Sequence, residues 1–302
     1  MRKTLALLFI AALALLAAGC GADDGGDTSA APADTAPATD TAAAEPCAKE
    51  NLTLVEPGQL TIGTDNPAYP PWFGGEPADP WEISNPASGE GFESAVAYAV
   101  AEQMGFPQHE VVWTVVPFAQ SFRPGAKDFD FDINQISYSD KRAQAVSFSD
   151  SYYDVNQAVV ALNSSPIANA TSLAELKDAK LGAPVGTTSY DYIVDNIQPS
   201  EDPAVYDTLN DGVSALTAKQ IDGLVVDLPT AFFVTAAQVE NSKIVGQFPS
   251  VGEQEYFGMV FEKDNSLVDC VNEALAALKD DGTLEQIQQE WLSDKASAPV
   301  LE

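Results

Sequence analysis

Short β-prone runs alternate with helical runs along this chain, and a strand-like crossing interrupts the alternation twice. Leu60-Thr61-Ile62-Gly63 reads as a strand ending in the turn Asp65-Asn66-Pro67. A helix follows in FESAVAYAVAEQMGF, where Phe92, Val96, Ala99, Val100 and Met104 share one face and Gly105 stops it. Strands are expected at Val111 to Phe118 and at Phe129 to Ser137. In the second of these, Phe129, Phe131 and Ile133 alternate with Asp130, Asp132 and Asn134, the pattern of a half-buried strand. It is not a calcium loop, because the Gly and distal Glu of an EF-hand are missing. After a β-rich crossing from Tyr152 to Leu162, a second series begins: the helix TSLAELKDA, the strand KLGAPVG, a helix from Thr187 and the strand IDGLVVD. Another crossing, near Tyr256 to Phe261, precedes the amphipathic C-terminal helices. Two α/β units joined by two crossings describe a bilobed protein whose first lobe holds both chain ends. Sites in such sheets gather at strand C-termini and helix N-termini.

The chain begins with an export signal. Arg2 and Lys3 precede an apolar run from Thr4 to Ala18 that is shorter than the roughly 20 residues of a spanning helix. Leu16 to Cys20, LAAGC, resembles a bacterial lipobox, in which the Cys is acylated and becomes the mature N-terminus. Ala17 stands where many lipoboxes carry Leu, and ordinary signal cleavage nearby is the alternative. Residues 21–46 contain no aromatic residue and only Ala among apolar types, so they are expected to form a flexible acidic tether. A lipid on Cys20 would hold the exported protein at the outer face of the cell membrane.

The charge balance removes several function classes. With 45 Asp+Glu against 14 Lys+Arg, the net charge is −31, which leaves no clustered cations to neutralise nucleic-acid phosphates. A single His, His109, rules out multi-His metal sites and leaves little room for a Ser-His-Asp triad, and no cofactor is expected. Cys47 and Cys270, two cysteines in an exported chain, suggest a disulfide. Cys270 shares a helical face with Leu267, Val271, Ala274, Leu275 and Leu278, so a buried free thiol is the other reading.

The stretch DINQISYSDKRAQAVSFSDSYY closely resembles the first-lobe signature of family 3 extracellular solute-binding proteins, the amino-acid receptors of ABC importers. The resemblance runs over roughly Leu52 to Leu292 and includes TIGTDNPAYPPWF, VGTTSYDY, IDGLVVD and DGTLEQIQQEWL. It implies an α/β fold of the periplasmic-binding-protein type, a bilobed clamshell whose two α/β lobes are joined by two hinge strands. The expected division is a signal peptide at 1–19, an acylated Cys and tether at 20–46, lobe 1 at 47–156 with 259–302, and lobe 2 at 157–258. The implied partners are an amino acid and an ABC permease, met by a monomer.

Chemistry and resemblance agree on a candidate site. Arg123 and Arg142 are the only Arg beyond the export signal, and Arg142 follows a turn containing Ser137 and Ser139. A planar guanidinium grips a carboxylate through two parallel hydrogen bonds. The resemblance gives the ligand α-carboxylate to Arg142, helped by Ser137, and adds Thr188 from the other lobe. Gly186-Thr187-Thr188 leads into a helix whose exposed N–H groups suit an anion. Asp227, at the end of IDGLVVD, is by resemblance the partner of the ligand α-ammonium. Asp65 matches a position that often meets nitrogen donors on the ligand side chain, favouring glutamine or a basic amino acid. Tyr69 and Phe118 match aromatics that flank the ligand. Asn134 and Gln135 stand where relatives often have small or hydroxyl residues, giving an unusual pocket wall. The segment Gly74 to Glu90 is longer than the usual turn and reads as a surface loop or as a lid carrying Trp81. Two other functions share this scaffold: a periplasmic dehydratase, which needs a general acid of raised pKa in the cleft, and a ligand sensor for a membrane receptor.

Overall fold

The computed structural model describes residues 46–292 and 298–302. The export signal, Cys20 and all of the tether before Pro46 lie outside the described residues. The first sheet has the order β2-β1-β3-β12-β4, from β1 (Leu60–Thr64), β2 (Val111–Val115), β3 (Phe131–Asp132), β4 (Ser147–Phe148) and β12 (Val260–Phe261). β1 is parallel to β2 and β3, whereas β12 runs antiparallel to β3 and β4. Helices α1 (Phe92–Gln103), α7 (Leu267–Asp280) and α8 (Thr283–Leu292) pack together beside it. Their apolar faces join Leu60, Ile62 and Phe131 in one core.

The second sheet has the order β10-β6-β9-β7-β8, from β6 (Gln157–Leu162), β7 (Leu181–Pro184), β8 (Ala204–Tyr206), β9 (Gly223–Asp227) and β10 (Ser242–Gln247). Strand alternation makes it two-sided: Val159 and Ala161 of β6 face one core, Ala158 and Val160 another. The chain passes between the sheets twice. There β5 (Tyr153–Asp154) and β11 (Tyr256–Phe257) pair antiparallel, Tyr153 opposite Phe257. This is the bilobed α/β architecture expected from the alternation. Cys47 and Cys270 form a disulfide across 223 residues, fastening the first described residues to α7.

Several elements depart from expectation. The third strand shrinks to Phe131–Asp132, with side chain–backbone bonds on either side of it. The Asp130 carboxylate accepts the N–H groups of Val55 and Thr61, and at Gln135 the chain turns to φ 47° with its N–H donated to Glu93. TSLAELKDA forms only a single 3-10 turn, Leu173–Leu176, with Leu176 buried; so short a run cannot sustain helical nucleation alone. The helix from Thr187 is α4 (Thr188–Tyr192), followed by a π turn at Ile193–Ile197. The last residues, assigned with the first lobe from sequence, pack on the second sheet instead. Leu301 is buried in its core, Val300 bridges Gln247, and the carbonyl of Glu302 accepts the N–H of Leu173. In the long segment before α1, Trp81 is 6 % exposed and belongs to the first core.

Candidate functional site

A cavity of about 360 Å3 lies between the two sheets, a volume suited to one small molecule. Asp65, Tyr69, Phe118, Gln135, Ser137, Arg142, Thr188 and Asp227, all singled out from sequence, line it together. Trp72, Asn134, Gln157, Thr230, Phe233 and Phe257 complete much of the wall.

One half of the cleft holds Arg142, its one basic side chain among the described residues. Ser139 caps the short α3 (Asp140–Ala143) by accepting the N–H of Arg142, which fixes where the Arg142 side chain departs. Arg142 is 8 % exposed. Its Nη1 donates to the Ser137 carbonyl at 2.6 Å and its Nη2 to the Gly186 carbonyl, from the other lobe, at 2.8 Å. The guanidinium lies 4.4 Å from the Phe122 ring centre and 5.6 Å from that of Phe118. Burial pulls its pKa down to about 10, opposed by the charges of Asp191 and Glu255, so it remains a cation at neutral pH. Beside it, the Ser137 and Thr188 hydroxyls each donate to Glu255 at 2.6 Å, and the Gln157 side-chain amide donates to the same carboxylate.

The other half is acidic. Asp227 ends β9 and caps α6 (Leu228–Phe233), its Oδ1 accepting the Thr230 N–H at 2.9 Å. Burial pushes its carboxyl up to about 6, against those capping bonds. Asp65, just past β1, is also raised by burial although it accepts the Asn66 N–H. Behind the Asn134–Gln135 wall, Glu93 is fully buried and accepts from the Tyr152 hydroxyl and from both the backbone N–H and side-chain amide of Gln135. Burial raises Glu93 to about 7. Asp132, equally buried, has no hydrogen-bond partner on either oxygen among the described residues and is raised first by burial, then by the charges of Glu93 and Asp65. Gln135 lines the cleft while its side-chain amide donates to Glu93 behind it.

Aromatic groups meet across the cleft. Tyr69 and Phe233, from opposite lobes, have ring centres 6.3 Å apart, and Trp72 Nε1 donates to Thr230 Oγ1 at 3.1 Å. Sequence reasoning missed Trp72, Gln157, Thr230, Glu93 and Glu255. Glu93 reads as an ordinary first-turn acid of α1, and nothing local marks its burial.

Two α/β lobes, two crossings and a cleft with a cationic side and an acidic side define a small-molecule binding protein. Residues 60–294 match bacterial extracellular solute-binding proteins, family 3, and the chain belongs to that family. It is similar to the ABC transporter arginine-binding protein 1 of Escherichia coli, 29% identical over 208 residues, which cover 67% of this chain and 81% of that one. The histidine-binding periplasmic protein of Salmonella typhimurium is 27% identical over 245 residues, covering 78% of this chain and 88% of the relative. Among solved structures, an ancestral arginine-binding protein bound to glutamine superposes with a TM-score of 0.63 at 25% identity, covering 78% of this chain and 97% of the other. Among the described residues, no helix is long and apolar enough to cross a membrane.

Proposed function

We propose that this protein captures a polar amino acid outside the membrane, glutamine or a basic amino acid by preference, and delivers it to an ABC permease. The observation that carries the reading is the division of one cleft into a side with Arg142, Ser137 and Thr188 and a side with Asp227 and Asp65. A zwitterion fits that division, its carboxylate toward the cation and hydroxyls and its ammonium toward Asp227. Support for the side-chain preference comes from Asp65 and from relatives named for arginine, histidine and glutamine. Closure of the lobes about the two crossings would enclose the ligand. An acylated Cys20 would keep the receptor near its permease, with the protein acting as a monomer.

Arg142→Ala tests the carboxylate role. The expected loss is about 3–5 kcal/mol, a hundredfold or greater weakening for the amino acid bound by the wild type. Near-normal affinity in a folded Arg142→Ala protein would contradict the assignment. The dehydratase reading draws on Asp227, whose raised carboxyl faces the cleft as a general acid would. Turnover of arogenate or prephenate, lost in Asp227→Asn, would favour that reading instead.

A further inference from the structure

Glu255 sits on the returning crossing, immediately before β11. Its Oε1 accepts the Ser137 hydroxyl and the Thr188 hydroxyl, each at 2.6 Å, and the Gln157 amide at 3.1 Å. Its Oε2 accepts the same amide at 3.2 Å. Gln157 is held for this purpose, because its own oxygen accepts the Ser189 hydroxyl at 2.6 Å. Three side chains from both lobes and a crossing strand thus converge on one carboxylate. Two of them are the hydroxyls that the amino-acid reading gives to the ligand.

A hydroxyl has one proton to donate. Ser137 and Thr188 cannot serve Glu255 and a ligand carboxylate at once, and two carboxylates sharing that site would repel. Arg142, the one basic side chain lining the cavity among the described residues, already donates to two backbone carbonyls. Both hydroxyls and two of the five N–H donors of Arg142 are thus engaged from within, while Asp65 and Asp227 on the other side are in no ion pair among the described residues.

We propose that Glu255 is a resident substitute for the ligand's carboxylate. An arriving amino acid must take Ser137 and Thr188 from it, whereas a cationic amine without a carboxylate need not. The wild-type cleft therefore accepts decarboxylated counterparts of its amino acid, a primary amine or guanidine class of ligand. This rests on the amino-acid reading above and adds a residue that sets how much the ligand's carboxylate contributes.

The test is calorimetric titration of the full mature chain, Glu255→Ala and Glu255→Gln, with L-arginine and L-glutamine and with their carboxylate-free counterparts, agmatine and 4-aminobutanamide. Removing the competitor in Glu255→Ala is expected to raise the preference for amino acid over amine by about tenfold or more, the scale of one charge-assisted hydrogen-bond set. Glu255→Gln keeps the shape without the charge and is expected to raise it by a smaller factor, which guards against a folding defect in the alanine variant. An unchanged or lowered preference in both variants, with wild-type binding intact, would overturn the proposal alone. Absence of binding by all four compounds to all three proteins would overturn the amino-acid reading and the proposal together.

Discussion

Asp227 caps a helix and faces the cleft, and those two surroundings act on its carboxyl in opposite directions. The cap bonds favour the charged form; burial wins and leaves the group near 6. A ligand ammonium beside it would pull that value down, so binding below pH 6 must release a proton. Affinity for a cationic amino group is therefore expected to fall as pH drops below about 6, approaching tenfold per pH unit. Calorimetry between pH 4.5 and 7.5 checks this, and a flat profile would separate Asp227 from the ammonium. The same residues give a stability effect of opposite sense. Asp227 and Glu93 hold protons more tightly folded than unfolded, near 6 and 7 against 3.8 and 4.5. Their stabilisation is full below about pH 4 and is lost as pH rises through 6 to 7, so the ligand-free protein loses stability across that window. Ser137, Arg142, Thr188 and Asp227 could be singled out in the sequence through the stretches that resemble the family, with which a hydroxyl turn, a helix start and a strand end agree. Glu255 and Gln157 were not, since their partners lie far away in sequence and one Glu among 45 acidic residues carries no signal.

At the scale of elements, the entry to α1 shows why the first lobe tolerates little change around its core. Gly91 precedes the helix at φ 95°, and a Cβ there would stand 2.4 Å from the Phe73 Cα and 2.6 Å from the Trp72 carbonyl oxygen. Gly91→Ala would meet both backbone strain and a clash with backbone that cannot swing aside. The expected cost is about 2–4 kcal/mol, read as a lowered denaturation midpoint. An unshifted midpoint would contradict the close approach. Helix α1 was readable from its apolar stripe, and β7 and β9 from their runs of apolar residues. The third strand was overread because its alternation continues past Asp132, where a non-local bond from Gln135 to Glu93 turns the chain away. Burial of Trp81 was equally hidden, because nothing within a Pro- and Gly-rich segment reports a core assembled from distant helices.

Taken as a whole, the described residues form two five-stranded sheets with separate cores, and the strands at and next to the crossings deliver residues to the cleft between them. β6 brings Gln157 and β11 brings Phe257 to the lining, and Glu255, just before β11, bonds to lining side chains. The disulfide from Cys47 to Cys270 stabilises the first lobe by closing a long loop, at most about 5 kcal/mol in chain-entropy terms. That two-lobed plan was legible because each lobe repeats its own strand–helix alternation. The placement of the last residues on the second sheet was not, because Leu301 is a single apolar contact after a break in the pattern. The central claim is that this cleft receives a free amino acid, and calorimetric titration of the ligand-stripped mature protein with the twenty amino acids tests it most directly. Saturable one-to-one binding of glutamine or a basic amino acid is the predicted result, and no binding by any of the twenty would contradict the claim.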